Sequence, residues 1–306
     1  MPEAHQQGLS RPEQQDAEDL AAPKATVLHE VVRRQGEEEL NRPPGSLFWS
    51  GLAGGVTIMT SVIAEAALQH KLPPGMPGRE AIADLGYSIG FLMVILGRMQ
   101  LFTEQTIVTV LPNMAEPGWR KLALTARLWL IVFLANMAGT CIAAGMNVHL
   151  HLVGQPLLEA MLDVSRSLLG KTPMEMLLQG IPAGFLIASV AWIRAGASDG
   201  EFWIVLALTY VIALCDFTHV VAGSAEAFLL LFTGQVGIGQ ALGGTILPRC
   251  SETSLAGQAF SRSWPMRRSA RKSDPGGTAR LLESGGRRHA AGAPFRRLRA
   301  ALPSWH

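Results

Sequence analysis

Between Asp216 and Glu226 the sequence reads Asp-Phe-Thr-His-Val-Val-Ala-Gly-Ser-Ala-Glu, and these polar groups interrupt a run that is otherwise apolar from Phe202 to Phe232. A run of 31 residues is long enough to cross a bilayer. Titratable side chains at membrane depth are costly unless they face a cavity or a partner, so Asp216, His219 and Glu226 together mark a candidate site. Imidazole has its ordinary pKa near neutrality, which lets His219 exchange a proton with a passing weak acid or present a hydrogen-bond donor to its anion; the plainer alternative is that the ring only satisfies backbone groups of the broken helix. Gly223 and Ser224 weaken the helix at the same place. Broken backbone inside a membrane survives only where protein buries it or a water-filled path runs beside it, so the stretch reads as half of a pore.

A second interruption, Gly97-Arg-Met-Gln-Leu-Phe-Thr-Glu104, lies inside the apolar run Leu85–Leu111. It supplies Thr103, whose hydroxyl could fix the ring of His219. The charged residues of the two interruptions have a plainer expected role: Asp216 and Glu226 accept hydrogen bonds from freed backbone donors or pair with Arg98, and Glu65 and Glu104 are structural in the same way.

The elements that must position these groups follow from composition. The chain has 306 residues, 48% apolar and only 16% charged, with the charge gathered at the two ends. That pattern describes an all-α integral membrane protein rather than a soluble one, and the net charge of +2 gives no indication of nucleic-acid binding. Cys141, Cys215 and Cys250 have no metal-site spacing, so neither a metal, a cofactor nor a disulfide framework is expected. Residues 1–25 lack an apolar core and read as a disordered tail. Residues 26–45 fit an amphipathic helix at the cytoplasmic membrane surface, with a plain solvated helix as the equal alternative.

Residues 46–247 contain the spans. Leu47–Leu68 carries Ser50-Gly-Leu-Ala-Gly-Gly55, Leu122–Val148 carries Asn136-Met-Ala-Gly139, and Met174–Ala197 carries Gln179-Gly-Ile-Pro-Ala-Gly184. A sixth run from Val236 holds Gly239-Gln-Ala-Leu-Gly-Gly244 and is expected to stop at Pro248, too short to span alone. Residues 248–306 form a basic, disordered stretch. It reads as a departure of the reading frame from its ancestral course more than as a cytoplasmic tail, since a working sixth span should not end there. Lysine and arginine near the span ends place the N-terminus inside.

The small-residue motifs of the first and fourth spans echo one another, as do those of the third and sixth, with a polar interruption between each pair. Three spans per half would invert one half against the other and bring the interruptions together. These residues resemble the formate/nitrite transporters, and within them the YfdC-like branch. The resemblance is carried by Leu101-Phe-Thr103, Phe217-Thr-His-Val-Val-Ala222, Val190-Ala-Trp192 and Gly239-Gln-Ala-Leu-Gly-Gly244, and extends from about Glu37 to Leu247.

The resemblance implies an aquaporin-like bundle of six transmembrane helices in two inverted three-helix repeats, helices 2 and 5 broken and the sixth truncated. It also implies a homopentamer in the inner membrane, with one pore per subunit for small monovalent anions or their acids. Carried over by position, His219 is the pore histidine and Thr103 its partner; Leu101, Phe102, Tyr87 and Phe91 fall at apolar constrictions, and Gln240 lies on the substrate path. The family's asparagine in the fourth helix falls on Gly184, that of the sixth on Gln240, and its vestibule lysine has no direct match, Lys171 standing a few residues away. A non-conducting scaffold or remnant and a neutral-solute channel are the competing readings. An intramembrane enzyme lacks any His-Glu-x-x-His or Gly-x-Ser-x-Gly.

Overall fold

The computed structural model describes residue 10, residues 23–197 and residues 200–250, and its regular structure is helical throughout. The expected N-terminal tail and basic C-terminal stretch lie almost wholly outside the described residues. The first helix, α1 (Ala25–Leu40), buries Val32, Gly36 and Leu40. It packs on protein as well as being amphipathic: a Cβ on Gly36 would meet the carbonyl of Val108 and the ring of Pro112. Arg33 lies 2.8 Å from Glu30 and 2.6 Å from Glu37, and Arg34 lies 2.7 Å from Glu30. The hydrogen bonds from Arg33 and Arg34 hold the Glu30 carboxyl down to about 2.

Three helices are long and apolar enough to cross a membrane among the described residues: α2 (Pro44–Lys71), α6 (Trp119–His149) and α8 (Pro173–Arg194). Between them run α3 (Arg79–Leu96), α4 (Phe102–Val108), α5 (Val110–Ala115) and α7 (Gln155–Arg166), and after α8 come α9 (Glu201–Leu214) and α10 (Val220–Phe232). Prolines open α2 and α8 at positions where a missing N–H costs nothing. Thr172 and Glu175 add a full capping box to α8.

A close crossing joins α2 to α6 through small residues. A Cβ on Gly51 would lie 2.9 Å from the Cβ of Ala135, and one on Gly139 would lie 2.8 Å from Gly55 Cα. Backbone contact of this kind is how helices associate where lipid removes the hydrophobic drive. Gly139→Leu should therefore force the pair apart and cost at least about 1–3 kcal/mol, the usual penalty of overpacking. Thermal unfolding in mild detergent reads this out, and an unchanged melting temperature would show that the crossing is not tight.

Both chain breaks have the same construction. After α3, Arg98 takes φ 54, and after α9, Asp216 takes φ 54. Arg98 N–H donates to Ile95 O (3.2 Å) and Met99 N–H to Val94 O (3.0 Å), while Asp216 N–H donates to Ala213 O (2.8 Å) and Phe217 N–H to Ile212 O (2.9 Å). These are two Schellman closures, normally made with glycine at the left-handed position. A non-glycine residue there carries a conformational cost of roughly 1–2 kcal/mol, so the surrounding packing fixes each break. The chain restarts with extended residues at corresponding positions, Leu101 before α4 and His219 before α10.

The sixth element departs from expectation. A π-helical segment, α11 (Gln240–Ile246), leads into a further helical turn over residues 247–250, so Pro248 does not end the run. Proline clashes with the carbonyl four residues before it in an α-helix, and the wider π turn preceding Pro248 relaxes that crowding. Ala241, Thr245, Ile246 and Arg249 are buried, whereas Ile238 and Leu247 are exposed.

Candidate functional site

The two restarts meet. Thr103 Oγ1, in the first turn of α4, lies 2.8 Å from His219 Nε2. His219 is also the N-cap of α10, its Nδ1 accepting from the Ala222 N–H at 3.3 Å. A nitrogen that accepts carries no proton, so the ring is the neutral tautomer with hydrogen on Nε2, donating to Thr103. Histidine thereby takes the place of the usual Ser or Asp cap.

At the other restart Leu101 has no oxygen to offer, and α6 supplies the missing partner. Asn136, wholly buried, accepts from Phe102 N–H at 2.9 Å and donates to Gln100 O at 2.9 Å and Gly51 O at 2.7 Å. Sequence reasoning placed Asn136 only within a small-residue motif. An amide in mid-span, near a break that leaves backbone groups unpaired, was the signal available.

Aromatic rings stack toward the histidine: Tyr87 and Phe91 centroids are 5.0 Å apart, and Phe91 meets the His219 ring edge-on at 4.9 Å. Leu101 and Phe102 are buried, the latter against Phe133 with centroids 5.1 Å apart. Above His219 opens a cavity of about 70 Å³ lined by Tyr87, Thr218, His219, Gly223, Glu226 and Arg249, with Glu65, Asp84, Lys171 and Asp216 also on its wall. Glu65, Asp84 and Asp216 also line an outer cavity of about 730 Å³. Lys171 Nζ donates to Asp216 O at 2.6 Å, and burial pushes this ammonium below its usual range.

Several expected roles are corrected. Arg98 pairs with neither Asp216 nor Glu226; its side chain is 64% exposed and lies 3.3 Å from Glu201. Arg98 and Asp216 hold the same place in breaks that open on different cavities. Arg98 lines one with Gln35, Arg194 and Glu201, and Asp216 lines another with Glu65 and Asp84. Glu104 does have a structural partner, Arg194, at 2.6 Å. Gln240 is exposed and lies off both cavity walls around His219, because α11 turns Ala241 and Thr245 inward instead. Arg249, within the stretch expected to be basic and disordered, is 1% exposed and reaches the cavity.

The formate/nitrite transporter profile matches residues 26–251. The chain is 37% identical over 219 residues to the inner membrane protein YfdC of Escherichia coli (strain K12), covering 72% of this chain and 70% of that one. A solved pentameric formate channel with formate bound is similar in fold, with TM-score 0.61 and 15% identity over 72% of this chain and 95% of that one. An FNT family ion channel gives TM-score 0.60 and 17% identity over 79% and 97%. The profile match spans the α2–α6 crossing, both breaks and the Thr103–His219 contact, and on it the chain belongs to the formate/nitrite transporter family of membrane channels and transporters.

Proposed function

We propose that this chain is a channel, not an enzyme, for small monovalent anions such as formate or nitrite and for their weak acids. The carrying observation is the 2.8 Å contact between Thr103 and His219, at the junction of two chain breaks and beneath a polar cavity. A bare anion loses its hydration at the Tyr87–Phe91 constriction, and a fixed donor there offsets part of that loss. His219 Nε2–H is engaged by Thr103 Oγ1, so the oriented Thr103 hydroxyl acts as that donor through its own O–H. A second proton would belong on Nδ1, which already accepts the Ala222 cap, so the ring works as a neutral donor rather than as a proton carrier.

The matching closures at Arg98 and Asp216 support two inverted three-helix repeats, α11 beginning the sixth span. The solved pentameric relative supports a homopentamer, and the YfdC match an inner-membrane location. Arginine and lysine flanking the spans support a cytoplasmic N-terminus. Purified chain in liposomes should take up formate and nitrite faster than glycerol. Uptake of neither anion would sink the proposal, and glycerol uptake alone would favour the neutral-solute reading.

A further inference from the structure

Gly223 sits inside α10, where glycine is about 1 kcal/mol worse than alanine. Its backbone is not left-handed, so the conformation does not demand glycine. What demands it is Arg249. A Cβ on Gly223 would collide with Arg249 Nη1, and would lie 3.0 Å from Cζ and 3.5 Å from Nε. The guanidinium therefore lies against the face of α10 one turn after His219, with Nη1 nearest the glycine, on the wall of the cavity beside the ring.

We propose that Arg249 forms an anion seat in this cavity, with Gly223 as the notch that admits it, and that the ligand is a small planar oxyanion of the carboxylate or nitrite type. The seat rests on the anion-channel reading and specifies where the anion is held before the constriction. Guanidinium presents five N–H donors in a planar fork, so it can hold a two-oxygen anion while serving other acceptors. The other cation on the wall, Lys171, already donates to the Asp216 carbonyl and is a point charge without that fork. Around the seat stand the carboxylates Glu65, Asp84, Asp216 and Glu226, so an anion passing them needs a fixed cation to rest beside. The cavity has room for an ion of a few heavy atoms.

The experiment measures formate and nitrite binding to the purified full chain by calorimetry in detergent, and formate and glycerol flux in liposomes, for the parent, Arg249→Gln, Arg249→Lys, Gly223→Ala and the Gly223→Ala/Arg249→Gln pair. Arg249→Gln should weaken formate binding about 10- to 100-fold, the range of a lost charge-assisted hydrogen bond. Arg249→Lys should recover part of the formate binding relative to Arg249→Gln, because it restores the charge without the planar fork. Gly223→Ala should weaken binding in the parent and add nothing in the Arg249→Gln background, because both changes remove one interaction. Unchanged binding in Arg249→Gln overturns the seat, as does absence of binding by the parent. Faster anion flux in that variant also overturns it, since the guanidinium would then be a plug. Arg249-dependent binding without flux would keep the seat and reject the conduction reading.

Discussion

Truncating Glu104 to alanine should destabilise the folded chain by about 3–5 kcal/mol, because it leaves the Arg194 guanidinium buried without its counter-charge. The pair is 2.6 Å long with both side chains 11% exposed. Arg194 also donates to the Ile95 carbonyl at 3.0 Å, so one guanidinium ties the last turn of α3 to the first turn of α4 across the break. Glu104 stands at a helix N-terminus and Arg194 at a helix C-terminus, each complementing the local dipole. Replacing both residues by methionine should recover most of the loss, since no uncompensated charge then remains. Chemical unfolding of Glu104→Ala, Arg194→Met and the methionine pair in mild detergent measures this as a cycle. Additive losses would show that the two groups do not interact in the folded chain.

The same pair shows where sequence reading stops. Interrupted apolar runs around Arg98 and Asp216 located both breaks, because polar residues in long apolar runs can mean little else in a membrane. Pairing across the fold was not legible. Arg98 and Arg194 are both arginines near apolar ends, and only the left-handed backbone at Arg98 turns that side chain outward toward Glu201 while Arg194 reaches Glu104. His219 and Thr103 could be singled out as polar groups beside weakened helices. The cap of α10 by one ring nitrogen is local, three residues away, whereas the expected contact of the other nitrogen with Thr103 is made by helices far apart in sequence. Arg249 escaped because proline reads as a stop, and the π-helical segment that leads up to Pro248 has no periodic signature.

Replacing His219 by asparagine should separate the two jobs of the ring. Asparagine is among the best N-caps, so the Ala222 N–H keeps an acceptor and stability should stay within about 0.5 kcal/mol of the parent. The shorter side chain cannot reach Thr103, and the hydroxyl facing the constriction loses the contact that orients it. Formate uptake in liposomes should then fall about 100-fold, the lower end of what one positioned polar group supplies at a dry oxyanion site. His219→Ala should lose the same uptake and, in addition, about 1 kcal/mol of stability with the cap. Thr103→Val tests the contact from the other side, removing the donor hydroxyl itself while conserving side-chain volume, and it too should slow uptake. Because the ring is held as one neutral tautomer, the pH profile of the remaining flux should follow ionisation of the transported acid in parent and variants alike. If His219→Asn conducts formate at the parent rate while His219→Ala merely melts earlier, the histidine is a helix cap and does not orient the donor.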